Sequence, residues 1–239
     1  MNREELIRQL EEINVCVSAE QMEQIEVFCQ FLLTENRKYN LTAIKVYEDI
    51  LLKHVYDSLT ISKVVDMMEC NNMLDIGSGG GFPGIILQIV YPHLEVTVLD
   101  SNSKKTKFLS MAKHLLKLEK LRVVNERAEL FAHEERNAFD LVTARAVASL
   151  NVLIELAVPL IKPNGVFVAM KGNIADELSL AKDTCEFLNC YIDSTFEFLL
   201  PIENSKRTLV VVKKQGKTPV VYPRSYDRIL KKPLKSKQK

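Results

Sequence analysis

The sequence predicts an α/β fold, a mostly parallel sheet with an antiparallel edge that is flanked by helices and capped by an N-terminal helical region. Three observations predict it. From residue 72 onward, strand-like and helix-like segments alternate, which is the order of parallel strands joined by right-handed crossovers. Segments 195–200 and 207–213 then follow one another with a short connection, which indicates antiparallel pairing. Residues 1–66 contain no convincing strand.

The N-terminal region is expected to be helical over 3–13, 19–37 and 47–66. Before the second helix, Ser18-Ala19-Glu20-Gln21 fits a capping box, in which two side chains satisfy backbone N–H groups at the helix start. Tyr39-Asn40-Leu41-Thr42 interrupts the apolar pattern and is expected to end this helix.

Beyond the cap, the pattern alternates between strands and helices. Strands are expected at 72–76, 95–100, 121–125, 139–144 and 165–170, and helices at 84–91, 103–118, 150–160 and 174–190. Lys162-Pro163-Asn164-Gly165 is expected to form a turn before the fifth strand.

A glycine-rich turn follows the first predicted strand. Five glycines fall within 77–84, and such a turn between a strand and a helix lets the backbone approach a nucleotide closely. Asp100 ends the next strand, where a carboxylate suits a ribose diol. Together these features predict a nucleoside-cofactor site.

The glycine turn favours S-adenosyl-L-methionine (SAM) over NAD. Phe82 stands where the dinucleotide motif has its third glycine, and Pro83 lacks the N–H that a pyrophosphate needs at a helix start. Asp75 would repel a pyrophosphate, whereas SAM has no phosphate. The predicted strand order is also typical of Rossmann-like SAM-dependent methyltransferases.

Composition is compatible with one large domain and an extension. Apolar residues make up 47% of the 239 residues, and no apolar run approaches the roughly 18 residues of a membrane span. The charged N-terminus does not look like a signal peptide, so a cytoplasmic location without a membrane partner is expected. Five cysteines without CxxC spacing are expected to be reduced and mostly buried, with no metal.

Charge is distributed unevenly along the chain. Residues 213–239 hold ten Lys or Arg and one acid, while the remainder holds 22 basic and 30 acidic residues. Such a terminus is either an anion-binding segment for nucleic acid or a disordered, solubilising tail. We therefore divide the chain into a helical extension at 1–66, a SAM-binding core at 67–213 and a basic tail at 214–239. The tail is expected to leave cofactor affinity almost unchanged.

Several segments coincide with one family. The chain resembles the RsmG (GidB) family, the bacterial 16S rRNA (guanine-N7)-methyltransferases. Besides the glycine turn, the matching segments are Tyr39-Asn40-Leu41-Thr42-Ala43-Ile44, Lys53-His54-Val55-Tyr56-Asp57-Ser58-Leu59, Glu126-Arg127-Ala128-Glu129, Thr143-Ala144-Arg145-Ala146-Val147-Ala148-Ser149-Leu150, Ala169-Met170-Lys171-Gly172 and Tyr222-Pro223-Arg224. In the tail, Asp227 and Ile229 depart from the family pattern.

The resemblance implies a cofactor site. It places Gly77 and Phe82 of the glycine turn against SAM, and Ala128 and Glu129 beside the adenine. Arg145, at the end of the fourth strand, is implied to face the methionine end or the incoming base. Asp100 joins this set because of its strand-end position alone.

Four residues are candidates for catalysis. The guanidinium of Arg145 suits the SAM carboxylate or an RNA phosphate, with a structural ion pair as the alternative. His54 and Asp57 are three residues apart, so they share a helix face. Lys171, at the end of the fifth strand, suits a phosphate, or is simply solvated. Asn40 is either a site residue or a plain turn residue.

The implied reaction needs no general base. Guanine N7 carries a lone pair and no proton, so catalysis is expected to rest on positioning, with Asp57 as a candidate to stabilise the charge that the purine gains. The resemblance implies a guanosine in the 530 loop, with 16S rRNA or a small ribosomal subunit particle as partner. Two alternatives stay open, a SAM methyltransferase of a non-RNA substrate and a ribosome-assembly RNA-binding protein that uses SAM only structurally.

Overall fold

A computed structural model of the chain describes residues 1–235 and contains a seven-stranded sheet of order β3-β2-β1-β4-β5-β7-β6. The strands are β1 (Asn72–Ile76), β2 (Glu95–Leu99), β3 (Leu121–Val124), β4 (Phe139–Arg145), β5 (Ile161–Lys171), β6 (Cys190–Leu199) and β7 (Lys206–Lys214). The first five pair in parallel, and β7 is antiparallel to both β5 and β6. The predicted fold class is therefore confirmed.

Helices cap the sheet and cover both of its faces. They are α1 (Arg3–Glu11), α2 (Ala19–Tyr39), α3 (Tyr47–Ile50), α4 (Asp57–Leu59), α5 (Gly84–Val90), α6 (Ser103–Leu116), α7 (Ala128–Glu134), α8 (Leu150–Ala157), α9 (Leu178–Leu188) and α10 (Tyr226–Lys231). A π-helical turn, Leu51–Tyr56, joins α3 to α4, and a 3-10 turn, Thr60–Lys63, follows α4. Within residues 1–235, no helix is both long and apolar enough to cross a bilayer.

The ends of α2 are as the sequence predicts. The Ser18 side chain accepts the Gln21 N–H while the Gln21 side chain accepts the Ser18 N–H, so the capping box is present. At the other end Asn40 takes a left-handed conformation, with φ of 50°, and ends the helix. Asn40 thus has a structural role in the turn that leads towards α3.

Two apolar clusters hold the fold together, one on each face of the sheet. The first joins α1 and α2 to α5, α6 and alternate strand residues such as Val98, Leu141 and Leu209. The second joins α8 and α9 to the intervening residues, such as Leu99 and Val142. Because the cap and the core share the first cluster, they pack as one unit. The division into 1–66, 67–213 and 214–239 stays a prediction.

The structure differs from the predicted elements at α7, α10 and the turn 162–165, at β6, which begins at Cys190 and not at 195, and over 47–66, where a π-helical turn and a 3-10 turn interrupt the expected helix. Both missed helices are short, with seven and six residues, and carry too few turns for a visible apolar period. The predicted turn lies inside β5, where the pairing jumps from Phe139 and Ile161 to Leu141 and Val166. A bulge accommodates the chain there, with Gly165 so close to β4 that a Cβ would lie 2.8 Å from the Phe139 carbonyl oxygen.

The C-terminal segment, which comprises residues 215–235 after β7, packs on the SAM-binding core. The Arg136 guanidinium donates to the Thr218, Pro219 and Tyr222 carbonyls, and Ile229 is buried with α8. The described part of the predicted tail is thus ordered against the core rather than a disordered terminus, and residues 236–239 lie outside the described residues. All five cysteines are free, and Cys16 alone among them is exposed.

Candidate functional site

Two neighbouring cavities open at the carboxyl ends of the central strands, where ligands bind in open parallel sheets. The first cavity has a volume of about 320 Å³, and its walls include Gly77, Asp100, Lys105, Ala128, Glu129 and Tyr226. The second cavity has a volume of about 370 Å³, and its walls include Lys53, His54, Asp57, Arg145, Lys171 and Arg207. Ala146 lines both, so the cavities adjoin at the residue after β4. Its φ of 55° is unusual for a non-glycine residue.

Gly77 lines the first cavity. Its φ is +70°, and a Cβ there would lie 2.6 Å from the Val147 Cγ2 atom. Any larger residue would therefore strain the backbone and collide with the loop after β4. The geometry of the turn therefore requires glycine at this position.

Asp100 presents a fixed carboxylate at the end of β2. One oxygen accepts the Gly79 N–H at 3.0 Å, and the other accepts the Asn102 N–H at 2.9 Å. Lys105 Nζ lies 3.8 Å away. A carboxylate has about four acceptor positions, so Asp100 retains capacity for ligand hydroxyl groups.

The residues of the first cavity fit a nucleoside cofactor. Gly77 provides a surface that a side chain would fill, Asp100 provides acceptors for a diol, and Ala128 and Glu129 begin α7 at the same cavity. Asp75 is not among the residues that line this cavity: its Oδ2 accepts the Gly84 N–H, its buried Oδ1 has no hydrogen-bond partner among the described residues, and burial raises its pKa to about 6. Within residues 1–235, no group of three or more His, Cys, Asp or Glu side chains is placed to hold a metal ion.

Arg145 anchors the second cavity to the helical cap. Its NH1 group donates to the Lys53 carbonyl at 2.9 Å and to Asp57 Oδ2 at 3.0 Å, and its NH2 group lies 3.0 Å from His54 Nδ1. The guanidinium carbon is 5.5 Å from the centre of the Phe82 ring. The structural ion pair foreseen as the alternative for Arg145 is therefore present.

His54 is held as a neutral imidazole. His54 Nδ1 lies 3.0 Å from the Arg145 NH2 group and 3.1 Å from the Lys53 carbonyl oxygen, and Nε2 lies 2.8 Å from Thr42 Oγ1, so both ring nitrogens are engaged. Burial, and next the positive charge of Arg145, lower the pKa of His54 to about 3. The ring also stacks on Phe82, with 4.5 Å between centroids.

Asp57 lies between two guanidinium groups. Its Oδ2 accepts from Arg145, and its Oδ1 accepts from Arg207 Nε at 3.2 Å. Sequence reasoning missed Arg207. The signal was available, because 207–213 was a predicted strand and its neighbour Thr208 pairs with Lys171 in the sheet. Placing that strand beside β5 brings Arg207 to the cavity.

Lys171 ends β5 at the wall of the second cavity. Its Nζ donates to the Ala148 carbonyl at 3.0 Å and lies 3.0 Å from Glu177 Oε2. The ammonium group is therefore fixed, with the side chain only 12% exposed. It ties the loop after β4 to the end of β5.

The predicted residues divide cleanly between the cavities, with two exceptions. Gly77, Asp100, Ala128 and Glu129 line the first cavity, and the four catalytic candidates Arg145, Asp57, His54 and Lys171 line the second. Arg145 and Phe82, which were also expected to hold the cofactor, are not among the residues that line the first cavity. Successive strand residues point to opposite faces of the sheet. Ala144 packs in the second apolar cluster, so the Arg145 side chain lies on the other face, towards the cap, where Phe82 also packs.

Comparison with known proteins gives close relatives over almost the whole chain. A family model described as rRNA small subunit methyltransferase G (GidB) matches residues 21–205. The chain is 41% identical to Ribosomal RNA small subunit methyltransferase G of Bacillus licheniformis over 237 residues, which covers 98% of this chain and 99% of that protein. It is 40% identical to the protein of the same name from Bacillus subtilis, with the same coverage.

Solved structures of lower identity share the fold. Cofactor-bound Rv0187 from MTB matches with a TM-score of 0.54 and 17% identity, covering 80% of this chain and 91% of that chain. P. horikoshii TYW2 in complex with MeSAdo matches with a TM-score of 0.52 and 15% identity, covering 68% of this chain and 63% of that chain.

Proposed function

The chain belongs to the rRNA small subunit methyltransferase G family, and from that premise we propose that it methylates N7 of a guanosine in the 530 loop of 16S rRNA. Membership makes the chain a SAM-dependent methyltransferase of small-subunit rRNA, with the Rossmann-like sheet of that enzyme class. The base, the atom and the mechanism are the proposal.

We assign the first cavity to the cofactor, which, when bound, supplies a methyl group on a positively charged sulfur. Gly77 allows close approach of the ligand, Asp100 accepts from the ribose hydroxyls, and Ala128 with Glu129 lies at the adenine. The second cavity is assigned to the target base, because it adjoins the first at Ala146.

The state of the second cavity's side chains is the observation that carries the proposal. His54 is neutral, its Nδ1 is engaged by Arg145, and its pKa is about 3. Each oxygen of Asp57 accepts from a guanidinium. Among the described residues lining this cavity, the imidazole and the carboxylate are both held by guanidinium groups and are not free to take a proton from a substrate. An exocyclic amine or a ribose hydroxyl must lose a proton on methylation, whereas N7 need not, so the site suits N7.

The wall of the second cavity suits RNA. Lys53, Arg145, Lys171 and Arg207 give it an excess of positive charge over the single carboxylate of Asp57. An Arg or Lys donor can pair with O6 of guanine, which leaves the lone pair of N7 free to attack the methyl group. Asp57, expected to stabilise the purine's new charge, instead holds two guanidinium groups, so we assign it a positioning role.

The experiment that tests the proposal is mass spectrometry of digested rRNA. Unmodified 16S rRNA and 30S particles are each incubated with the full chain and SAM carrying a deuterated methyl group. We expect labelled 7-methylguanosine in the fragment that contains the 530 loop. Label on an exocyclic amine, on C5 or on a ribose hydroxyl would contradict the mechanism. Label on N7 of a guanosine outside the 530 loop would contradict only the proposed position in the RNA.

The same experiment separates the two alternatives. An assembly protein that keeps SAM only structurally would bind rRNA and SAM and leave both substrates unlabelled. A methyltransferase of a non-RNA substrate would bind SAM and show no saturable binding of either RNA.

A further inference from the structure

We propose that the C-terminal segment is part of the cofactor site, with Tyr226 forming a wall of the adenosyl pocket. This proposal departs from the expectation that the tail leaves cofactor affinity almost unchanged. The inference rests on the assignment of the first cavity to SAM and not on which RNA atom is methylated, so the two proposals fail separately.

Tyr226 lines the first cavity from the opposite end of the sequence. It begins α10, and it shares the cavity with Leu156 of α8 and with Ala128. Its half-buried ring packs against the apolar group of Val152, Leu156 and Ile229. Because Ala128 begins α7 at the expected adenine end, Tyr226 provides an aromatic surface there, which is the kind of surface that a purine binds.

A buried ion pair fixes the segment that carries Tyr226. Arg224 donates from Nε and NH2 to the two carboxylate oxygens of Glu155, each at 2.7 Å, and its backbone N–H donates to Oε1 at 3.1 Å. The Glu155 side chain is 1% exposed. A bidentate pair of this kind sets the position of the chain two residues before Tyr226.

Two more contacts hold α10 in register with the cavity. The NH1 group of Arg224 donates to the Lys232 carbonyl at 2.9 Å, which ties the end of α10 to its start. Ile229, 1% exposed, is buried against α8. The segment is therefore ordered by contacts to α8 and is not a free terminus in the described residues.

A consequence is thermodynamic coupling between the segment and the cofactor. If the ordered segment contributes to the pocket, then the cofactor must in turn stabilise the ordered segment by the same factor. The exposed basic residues Arg228, Lys231 and Lys232 lie on α10 or directly after it, so RNA bound there would act on the same equilibrium.

The test measures binding of S-adenosylhomocysteine to the full chain by calorimetry, without RNA. We expect Tyr226→Ala to weaken binding about tenfold, because an apolar wall of the purine pocket is lost, and Tyr226→Phe to retain affinity. Asp227→Asn is the matched control, since this neighbour is exposed and does not line the cavity. Undiminished affinity in folded Tyr226→Ala would overturn the proposal.

Hydrogen exchange of the unaltered chain gives a second readout that needs no variant. Adding S-adenosylhomocysteine is expected to slow amide exchange across residues 219–235 as well as in the glycine turn. Protection of the glycine turn without any change across 219–235 would overturn the proposal even if Tyr226→Ala failed to fold.

Discussion

The first and second cavities both lie at the carboxyl ends of the central strands, but they are built differently. The first is built around the turn after β1, the end of β2 and the start of α7, and its walls combine small residues such as Gly77 and Ala128 with charged ones such as Asp100 and Glu129. The second is made of charged side chains from the cap and from β4, β5 and β7, and its Asp57–Arg207 contact joins residues 150 positions apart. A site built around short segments at strand ends depends mainly on local conformation, whereas a site built from charged side chains of distant elements depends on those elements meeting correctly.

Replacing Gly77 is expected to have the largest effect and to fall on the first cavity. Gly77→Val forces a branched side chain into a backbone at φ +70°, with a Cβ contact of 2.6 Å to Val147. We expect a loss of S-adenosylhomocysteine affinity of at least about 100-fold, near 2.7 kcal/mol, measured by calorimetry.

Gly80→Ala is the matched control for this variant. A Cβ at Gly80 would meet Leu32 at an ordinary 3.4 Å, and its φ is not in the left-handed range. We expect near-normal cofactor affinity and thermal stability. Equal losses in both variants would mean that the glycine turn tolerates no side chain anywhere, and the special role of Gly77 would be wrong.

Arg145→Ala is expected to affect the second cavity and spare the first. It removes the donor to Asp57 and His54 and leaves Asp57 with one guanidinium partner. We expect the single-turnover rate of methyl transfer to fall more than tenfold, at least about 1.4 kcal/mol, with cofactor affinity within about twofold.

The matched control for Arg145→Ala is Arg122→Ala. Arg122 lies on β3, pairs with the partly exposed Glu135, and lines neither cavity. Its replacement is expected to leave the rate unchanged. A loss of cofactor affinity in Arg145→Ala alone would instead place its guanidinium at the methionine end of SAM, as the sequence had implied.

The contacts of the first cavity follow from local sequence better than those of the second, for a physical reason. The positive φ of Gly77 and the strand-end position of Asp100 follow from local pattern, since a glycine turn and a buried strand are each specified by a few neighbouring residues. The pairing of Asp57 with Arg207 requires knowing that β7 lies beside β5 and that the cap covers that edge. Motif resemblance identified Asp57 and Arg145 but not what each touches.

The C-terminal segment shows a similar limit for predictions that are made from charge alone. A run rich in Lys and Arg predicts a basic surface, but it does not reveal that Arg224 is committed to buried Glu155 on α8. Glu155 is the single charged residue of α8, and only the packed structure supplies its partner. Basic residues that lack such partners remain the candidates for RNA contact.

A double substitution in that segment is expected to have a moderate effect on RNA and little on the cofactor. Lys231 and Lys232 are exposed, and each lost phosphate contact lowers the slope of log affinity against log salt by about 0.7–0.9. We therefore expect Lys231→Ala with Lys232→Ala to flatten the salt dependence of rRNA binding, measured by filter binding at several salt concentrations.

The control for this variant is the double substitution Lys113→Ala with Lys120→Ala. It removes the same charge at a third cavity, which lies near the amino ends of the strands. This pair is expected to leave the salt slope unchanged. Identical slopes for both doubles and for the unaltered chain would mean that Lys231 and Lys232 do not contact RNA phosphates.

The smallest expected effect is that of pH on the rate of the chemical step. A rate that hardly depends on pH is what distinguishes the second cavity from a site with a general base. The pKa of His54 is lowered to about 3, so the imidazole stays neutral throughout pH 7 to 9, and the raised pKa of Asp75, about 6, lies below that range. Single-turnover rates measured with saturating SAM and rRNA are therefore expected to change less than about twofold from pH 7 to 9. A rate that climbs tenfold per pH unit and then levels off would reveal a group that must lose a proton, and the assignment of N7 as the nucleophile would be wrong.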